Sequence, residues 1–160
     1  MHLKQSTTDS KVRLAAYEPA RHQALLLLAD PEEAVLEGYI RDCLLYEYVE
    51  NEAVLGVAAT LNLPDGSVEL KNIAVSAEAQ RGGIGSALVR RVCAEVGARR
   101  LIVGTADASS EAIAFYERNG FHAFGRIERF FLERYAEPVY DNGRLCRDMV
   151  LLEIQNSSES

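Results

Sequence analysis

A glycine-rich stretch is the part of this sequence whose chemistry is easiest to read. Residues 80–85 have the sequence Gln-Arg-Gly-Gly-Ile-Gly, directly after an apolar, strand-like run and directly before a helix-like run. Glycines let a ligand approach the backbone closely, and the first amides of a helix have no partners within the helix. Because the helix dipole adds positive charge at the same end, the stretch predicts a binding site for a phosphate or pyrophosphate.

Charge is unevenly distributed along the chain. The formal net charge is −7; residues 1–80 hold 6 basic and 13 acidic side chains, whereas residues 81–160 hold 11 of each. Five arginines lie within residues 81–100, beside the glycine-rich stretch. An acidic half next to a locally basic anion site suggests two ligands of opposite sign, although solvated surface charge also explains the acidic half. No extended basic stripe with interleaved aromatic residues is present, so we expect no nucleic-acid partner.

Length and composition predict a single domain over residues 1–160, with flexible ends at residues 1–10 and 155–160. The 48% hydrophobic and 26% charged content is typical of a soluble globular protein. No apolar run approaches the roughly 20 residues that span a bilayer, and the polar start lacks the apolar core of a secretory signal. We therefore expect a cytoplasmic protein with no membrane partner.

The cysteines and histidines show no spacing typical of a metal site. Three residues of each type are scattered along the chain. We expect no metal, buried or incidental thiols in a reducing compartment, and packing or surface roles for the histidines. The cysteines are Cys43, Cys93 and Cys146, and the histidines are His2, His22 and His122.

Strand-like and helix-like segments surround the glycine-rich stretch. The predicted strands cover residues 12–17, 44–49, 53–63, 68–75, 101–105, the start of 121–131, and 145–154. The predicted helices cover residues 18–29, 30–39 (capped by Asp30), 84–96 and 110–118. A hairpin turn is predicted at Asp141-Asn142-Gly143. Short turns join the second, third and fourth strands, which should therefore be antiparallel neighbours. The order predicts a mixed α/β sheet with helices on both faces.

A second motif changes what the first one means. Residues 112–121 have the sequence Ala-Ile-Ala-Phe-Tyr-Glu-Arg-Asn-Gly-Phe, about 30 residues after the glycine-rich stretch. The two match the Gln/Arg-x-x-Gly-x-Gly/Ala turn and the Ala-x-x-x-Tyr-x-x-x-Gly-Phe helix of one family, and the element order matches too. Over nearly its whole length the chain resembles the GNAT superfamily of acyl-CoA-dependent N-acetyltransferases, in particular small bacterial members without an assigned acceptor. The resemblance implies a mostly antiparallel central sheet of about seven strands, splayed near the glycine turn.

The resemblance also implies a reaction. Acetyl-CoA would be the cosubstrate, and its acetyl group would pass to a primary amine, either a small cationic amine or a peptide amine. Attack would be direct, in a ternary complex. The alternative is a CoA-binding sensor or degenerate module without turnover. A homodimer is expected because dimers are common in the superfamily. A dinucleotide-binding fold is disfavoured, since the Gly-x-Gly-x-x-Gly pattern is not met.

Family positions imply which residues would contact CoA. The turn amides would hold its pyrophosphate, and the backbone of the preceding strand would pair with the pantetheine arm like an added strand. Relatives carry an asparagine near position 109, so a serine there departs from the family pattern. The implied cofactor-binding residues are Ile73, Ala74, Val75, Gln80, Arg81, Gly82, Gly83, Ile84, Gly85, Ser86, Ser109, Ala112 and Phe115.

Acyl transfer to an amine requires a base, an acid for the departing thiolate and donors for the oxyanion. Tyr116 matches the family tyrosine whose hydroxyl faces the CoA sulfur, so the resemblance implies that it is the acid. Glu69, on the strand entering the turn, is the implied base, with a solvent-facing strand residue as the competing interpretation. A backbone amide at Val75 or its neighbour is the expected oxyanion donor, with the Asn72 side chain as a further donor.

Two further stretches, residues 37–48 and 130–135, hold aromatic residues and one glutamate that are candidates for binding the acceptor amine. The alternative is that these residues pack in the core or lie at the surface. They are Glu37, Tyr39, Tyr46, Tyr48, Phe130, Phe131 and Tyr135.

Overall fold

The structure is a computed structural model that describes residues 11–155, and the chain divides into two compact units between Gly97 and Ala98. The first unit contains β1 (Val12–Ala15), α1 (Pro19–Ala29), α2 (Glu33–Glu37), β2 (Leu44–Glu50), β3 (Ala53–Asn62), β4 (Val68–Val75) and α3 (Ile84–Val96). The second unit contains β5 (Arg100–Ala106), α4 (Ser110–Arg118), β6 (His122–Ile127), α5 (Phe130–Arg134), β7 (Tyr140–Asp141), β8 (Arg144–Leu145) and β9 (Met149–Gln155).

Four strands of the first unit pair in the order β1-β2-β3-β4, and each pair is antiparallel, as their short connections predict. The pairing of β2 with β3 shifts register beside Gly56, which marks a β-bulge. A Cβ atom on Gly56 would lie 2.8 Å from Cγ2 of Ile84 and 3.1 Å from Cδ1 of Leu88. The glycine is therefore needed because α3 packs closely on β3 at this point.

Helices cover both faces of this four-stranded sheet, as predicted. The cluster under α1 and α2 consists of Leu26, Leu36, Ile40, Leu45, Val57, Ala59 and Ala74. Val57 and Gly56 are neighbours in β3, and successive strand residues face opposite sides of a sheet. Because Gly56 meets α3 and Val57 meets the α1 cluster, α3 packs on the opposite face from α1.

The second unit has its own antiparallel strands, in the order β5-β9-β6. The predicted hairpin is confirmed: β7 pairs with β8, and the loop residues Asn142 and Gly143 have φ values of 52° and 77°. Two positive φ values are what a two-residue hairpin loop requires, and Asn-Gly supplies them at low cost. The helix α5 was not predicted, since its five residues carry too short a pattern to distinguish it from a strand.

Two local predictions are wrong. Asp30 does not cap the second helix: it follows the last residue of α1, its backbone N–H donates to Leu26 O, and α2 begins only at Glu33. Its carboxylate instead accepts a hydrogen bond from Tyr39. Gln155, expected to be flexible, ends β9 and pairs with Arg100. The expectations for residues 1–10 and 156–160 lie outside the described residues.

The predicted fold class, a mixed α/β protein with about seven mostly antiparallel strands and helices, is confirmed. The splay near the glycine turn stays a prediction, as does the single domain. Within residues 11–155, no helix has the length and apolar character needed to cross a membrane.

Candidate functional site

The glycine turn of the first unit has the backbone of an anion site. Arg81 and Gly83 adopt left-handed conformations, with φ values of 74° and 83°. Ala87 N donates to Gly83 O over 3.0 Å, so the N–H groups of residues 84–86 precede the first helical hydrogen bond of α3. Gly83, at the N-cap, offers no side-chain cap for them. These amides and the positive end of the α3 dipole are available to a phosphate.

Gly82 leaves the turn open to a ligand. A Cβ atom on this residue would have only Ala79 O within 4 Å, at the ordinary contact distance of 3.5 Å. Neither its backbone conformation nor the surrounding protein therefore requires a glycine there, whereas the positive φ of Gly83 does. A ligand that approaches the backbone closely would explain the glycine at position 82.

The strand before the turn offers backbone groups to a partner other than β3. Ala74 is opposite Val57 in the register, and Ser76 N donates to Leu55 O over 2.8 Å. Along an antiparallel pair, residues whose backbone groups hydrogen-bond to the neighbouring strand alternate with residues whose backbone groups point away from it. Because Ser76 bonds to β3, Ala74 does so too, whereas Ile73 and Val75 direct their N–H and C=O groups away from β3. Of the three predicted strand residues, Ile73 and Val75 have the orientation that an added strand-like ligand needs.

Glu69 has a basic neighbour that sequence reasoning missed. Its carboxylate lies 3.8 Å from Lys71 Nζ, and the two side chains are 31% and 28% exposed. Lys71 Nζ also lies 4.8 Å from the centre of the Tyr39 ring. This ion pair places the carboxylate beside a positive charge at the partly exposed surface of β4. The alternating strand pattern gave no sign of the lysine's role, because every second residue of β4 is partly exposed.

Asn72 is not available as an oxyanion donor. Its two Nδ2 hydrogens already donate to Leu26 O over 3.0 Å and to the Tyr39 hydroxyl over 3.1 Å. Neither bond can run in the opposite direction. The Leu26 carbonyl has no proton to donate, and the Tyr39 hydroxyl donates its proton to Asp30. The expectation of a donor role for Asn72 is therefore wrong. Tyr39 is part of this buried network.

In the second unit, three predicted residues share one face of α4. Ala112, Phe115 and Tyr116 are spaced three and four residues apart, which brings side chains to one side of a helix. The Tyr116 ring makes edge contacts with Phe115 and Phe121, at centroid distances of 5.4 Å each. The residue is 8% exposed, and burial raises the pKa of its hydroxyl to about 12. Tyr116 therefore stays protonated at neutral pH, as an acid must.

Ser109 has a protein partner at the start of α4. Its hydroxyl donates to Asp141 Oδ2 over 2.5 Å, tying the β7–β8 hairpin to the helix. A hydroxyl has one proton, so Ser109 can meet a ligand only as an acceptor while this bond lasts. Asp141 lies 32 residues away in sequence, and only its place in a turn could be predicted.

Some aromatic candidates belong to the core. Tyr46 and Tyr48 of β2 are buried, at 1% and 4% exposure, so their acceptor-side role is not supported. Phe131 makes an edge contact with Phe130 and stacks on Tyr135. Phe131 and Tyr135 border a cavity of about 210 Å³.

The thiols and possible metal ligands offer little chemistry. Burial is the main cause of a raised pKa for Cys43, Cys93 and Cys146, and none forms a disulfide. Raised pKa values leave the nucleophilic thiolate scarce at neutral pH. Among the residues that the structure describes, no group of three or more His, Cys, Asp or Glu side chains is arranged to hold a metal ion.

Comparison with known proteins gives a consistent result. The protein-family model of the acetyltransferase (GNAT) domain matches residues 41–123. The uncharacterized N-acetyltransferase YvbK of Bacillus subtilis is 34% identical over 131 residues, which is 80% of this chain and 84% of that protein.

Solved structures agree. An acetyltransferase of Bacillus subtilis in complex with CoA has a TM-score of 0.84 at 30% identity, over 92% of this chain and 99% of that one. A GNAT family acetyltransferase of Elizabethkingia anophelis with acetyl-CoA bound has a TM-score of 0.81 at 28% identity, over 91% and 99%. The IAA acetyltransferase of Bacillus cereus has a TM-score of 0.80 at 32% identity, over 91% and 99%.

Proposed function

This chain belongs to the GNAT family of acetyltransferases, and from that premise we propose that it transfers the acetyl group of acetyl-CoA to a primary amine. The observation that carries the proposal is the turn before α3. Two left-handed residues and the open Gly82 present the amides of residues 84–86 to an anion. Relatives with the same fold hold CoA or acetyl-CoA, and CoA carries a pyrophosphate.

CoA would occupy two adjoining parts of the first unit. The turn at residues 81–86 would bind the pyrophosphate through its amides. The outward-directed N–H and C=O groups of Ile73 and Val75 would pair with the amides of the pantetheine arm, as a further strand would. Ala74 would contribute little, because its backbone bonds to β3.

The catalytic roles are proposed for Glu69 and Tyr116, the two residues that the family resemblance indicates. Glu69, which lies beside Lys71, would take a proton from the amine so that the nitrogen lone pair can attack. As the C–N bond forms and the C–S bond breaks, Tyr116 would give its proton to the sulfur. The raised pKa of Tyr116 keeps that proton available. The amine would attack directly in a ternary complex, because thiols with raised pKa values are poor nucleophiles.

The proposed acceptor is a small cationic amine or a peptide amine. The first 80 residues hold 13 acidic and 6 basic side chains, and such an excess attracts cations. We expect spermidine and tyramine to react faster than glutamate. A preference for glutamate over both would contradict the charge argument.

Thiol release tests the proposal. The purified protein would be mixed with acetyl-CoA and each amine of a panel that includes spermidine, tyramine, glycinamide and glutamate. We expect amine-dependent release of free CoA thiol, and acetylated amine by mass spectrometry. Absence of both, together with no CoA binding in calorimetry, would overturn the proposed function. Sedimentation velocity on the same sample tests the proposed homodimer.

A CoA-binding module without turnover is the second candidate. It is favoured by one observation: the pKa of about 12 makes Tyr116 a weak proton donor, and among the described residues its hydroxyl makes no hydrogen bond. CoA binding with no thiol release from any amine would favour this candidate.

A further inference from the structure

The Gln80 side chain bonds back to the strand that precedes the turn. Its Nε2 donates to Val75 O over 3.1 Å. The intervening residues form one short helical turn, Ala77–Ala79, in which Ala79 N donates to Ser76 O over 3.0 Å. The carboxamide therefore closes the loop that connects β4 to the glycine turn.

Val75 O can accept this bond because it points away from β3. The pantetheine arm is proposed to lie on this same side of β4. Gln80 is therefore bonded to one of the two backbone positions, Ile73 and Val75, that face this side. A carbonyl oxygen has two lone pairs, so the bond from Gln80 leaves one for a ligand amide. Gln80 is thus joined to one part of the proposed CoA site through its side chain and to the other through its backbone.

The turn after Gln80 needs support from its surroundings. Arg81 follows directly with a φ of 74°, a conformation that residues other than glycine adopt rarely. Such backbone persists where neighbouring contacts hold it, commonly at ligand sites. The bond from Gln80 to Val75 O lies at the entry to this turn, where it can fix the position of the turn relative to β4.

We propose that Gln80 is a positioning residue that fixes the glycine turn relative to the side of β4 that faces away from β3. The inference rests on the proposed function, since both places are parts of the CoA site. A ligand that contacts both the turn and β4 binds more tightly when the distance between them is fixed in advance. A ligand that occupies the turn alone does not.

Two ligands and two variants separate this role from a direct contact. CoA spans both places, and ADP carries a diphosphate but no pantetheine. Gln80→Met has a similar length but no donor, whereas Gln80→Arg retains an N–H donor for Val75 O. Glu78→Ala, an exposed residue of the same loop, is the matched control. CoA affinity would be measured by calorimetry, ADP affinity by NMR titration, and folding by thermal melting.

Gln80→Met should weaken CoA binding by roughly 3- to 10-fold, the loss expected for one hydrogen bond, and leave ADP affinity unchanged. Gln80→Arg should keep CoA affinity near that of the wild type, as should Glu78→Ala. Equal losses of CoA and ADP affinity would show that Gln80 contacts phosphate or that the turn collapses, and unchanged CoA affinity would show that the bond is dispensable. Either result would overturn the inference.

Failure of the proposed function would look different. If the wild-type protein binds neither CoA nor ADP, the turn is not a pyrophosphate site and both proposals fall. If the wild type binds both ligands and Gln80→Met behaves identically, only the positioning role of Gln80 is wrong.

Discussion

Asn72 donates a hydrogen bond to the Tyr39 hydroxyl over 3.1 Å, which ties β4 to the segment that follows α2. The other Nδ2 hydrogen reaches Leu26 O near the end of α1, and Tyr39 donates in turn to Asp30 Oδ2 over 3.0 Å. Both Asn72 partners require a donor, so the orientation of its carboxamide is fixed and Oδ1 faces the other way. Buried Oδ1 has no hydrogen-bond partner among the described residues. The network therefore ties β4 to the end of α1 and to the segment that follows α2.

Tyr39→Phe should lower the free energy of unfolding by about 1–2 kcal/mol, because one buried N–H of Asn72 loses its acceptor. Urea denaturation at pH 7 measures the change. Tyr140→Phe is the matched control, since that side chain is 61% exposed and should tolerate the loss of its hydroxyl. Equal stabilities of the two variants would mean that the Asn72–Tyr39 bond contributes nothing.

Gly82→Ala should leave the fold intact and weaken CoA binding. The new methyl group meets only Ala79 O at 3.5 Å within the protein, but it would crowd a phosphate that approaches this backbone closely. We expect an unchanged melting temperature and a loss of affinity of about tenfold, or ~1.4 kcal/mol, in calorimetry.

Two other glycine substitutions, Gly83→Ala and Gly125→Ala, serve as comparisons for Gly82→Ala. Gly83→Ala should destabilise the protein by about 1–2 kcal/mol, because alanine is strained at a φ of 83°. Gly125→Ala, whose Cβ atom would be 3.7 Å from Leu151 Cδ1, should change neither folding nor binding. Wild-type CoA affinity in Gly82→Ala would argue that no ligand approaches this backbone.

Tyr116→Phe should lower kcat by at least ~10²-fold without changing CoA affinity, since loss of a general acid affects only the chemical step. Stability should not fall, because within the described part of the chain the hydroxyl makes no hydrogen bond. The pKa of about 12 means that titration of Tyr116 removes the proton donor only above roughly pH 11. A kcat close to that of the wild type would exclude Tyr116 as the acid, and the exposed Tyr140→Phe variant serves as the control for tyrosine loss.

Features encoded by local sequence could be predicted. The four-residue spacing of apolar residues and the following glycine predicted α3, and the observed helix ends at Val96, directly before Gly97. Asn142-Gly143 predicted a hairpin because few other dipeptides tolerate two positive φ values. Asp30 was misassigned for the opposite reason: an aspartate before a helix is a common cap, and only the tertiary position of Tyr39 gives its carboxylate another partner.

Site partners distant in sequence could not be predicted. The glycine turn and Tyr116 were found through motifs, but nothing in the sequence pairs Ser109 with Asp141 or Asn72 with Leu26, which are 32 and 46 residues apart. The bond between Gln80 and Val75 spans only five residues, yet it depends on how the loop curves. Such contacts follow from packing of the sheet and helices, which hydrophobic periodicity does not specify in detail.

Among the described residues of the first unit, Glu47 on β2 is the buried charged residue whose side chain has the most hydrogen bonds. Arg21 donates to both carboxylate oxygens, over 2.9 and 3.1 Å, and Arg13 Nε donates to Oε2 over 2.8 Å. His22 Nε2 lies 2.8 Å from Oε1, and because its Nδ1 accepts from Glu18 N, the ring proton is on Nε2. Burial alone would raise the pKa of Glu47, but the bonds from Arg21, His22 and Arg13 lower it to about 2.

A lowered pKa in the folded state stabilises the protein above the pKa of the unfolded chain, near ~4.3, and this stabilisation is lost as pH falls towards 2. Glu47→Gln should therefore lower the free energy of unfolding at pH 7 by roughly 3 kcal/mol, and its difference from the wild type should shrink below about pH 4. Urea denaturation at several pH values measures this difference, with the exposed Glu128→Gln as control. A difference that stays constant from pH 7 down to the lowest pH at which both proteins fold would show that ionised Glu47 does not contribute to stability.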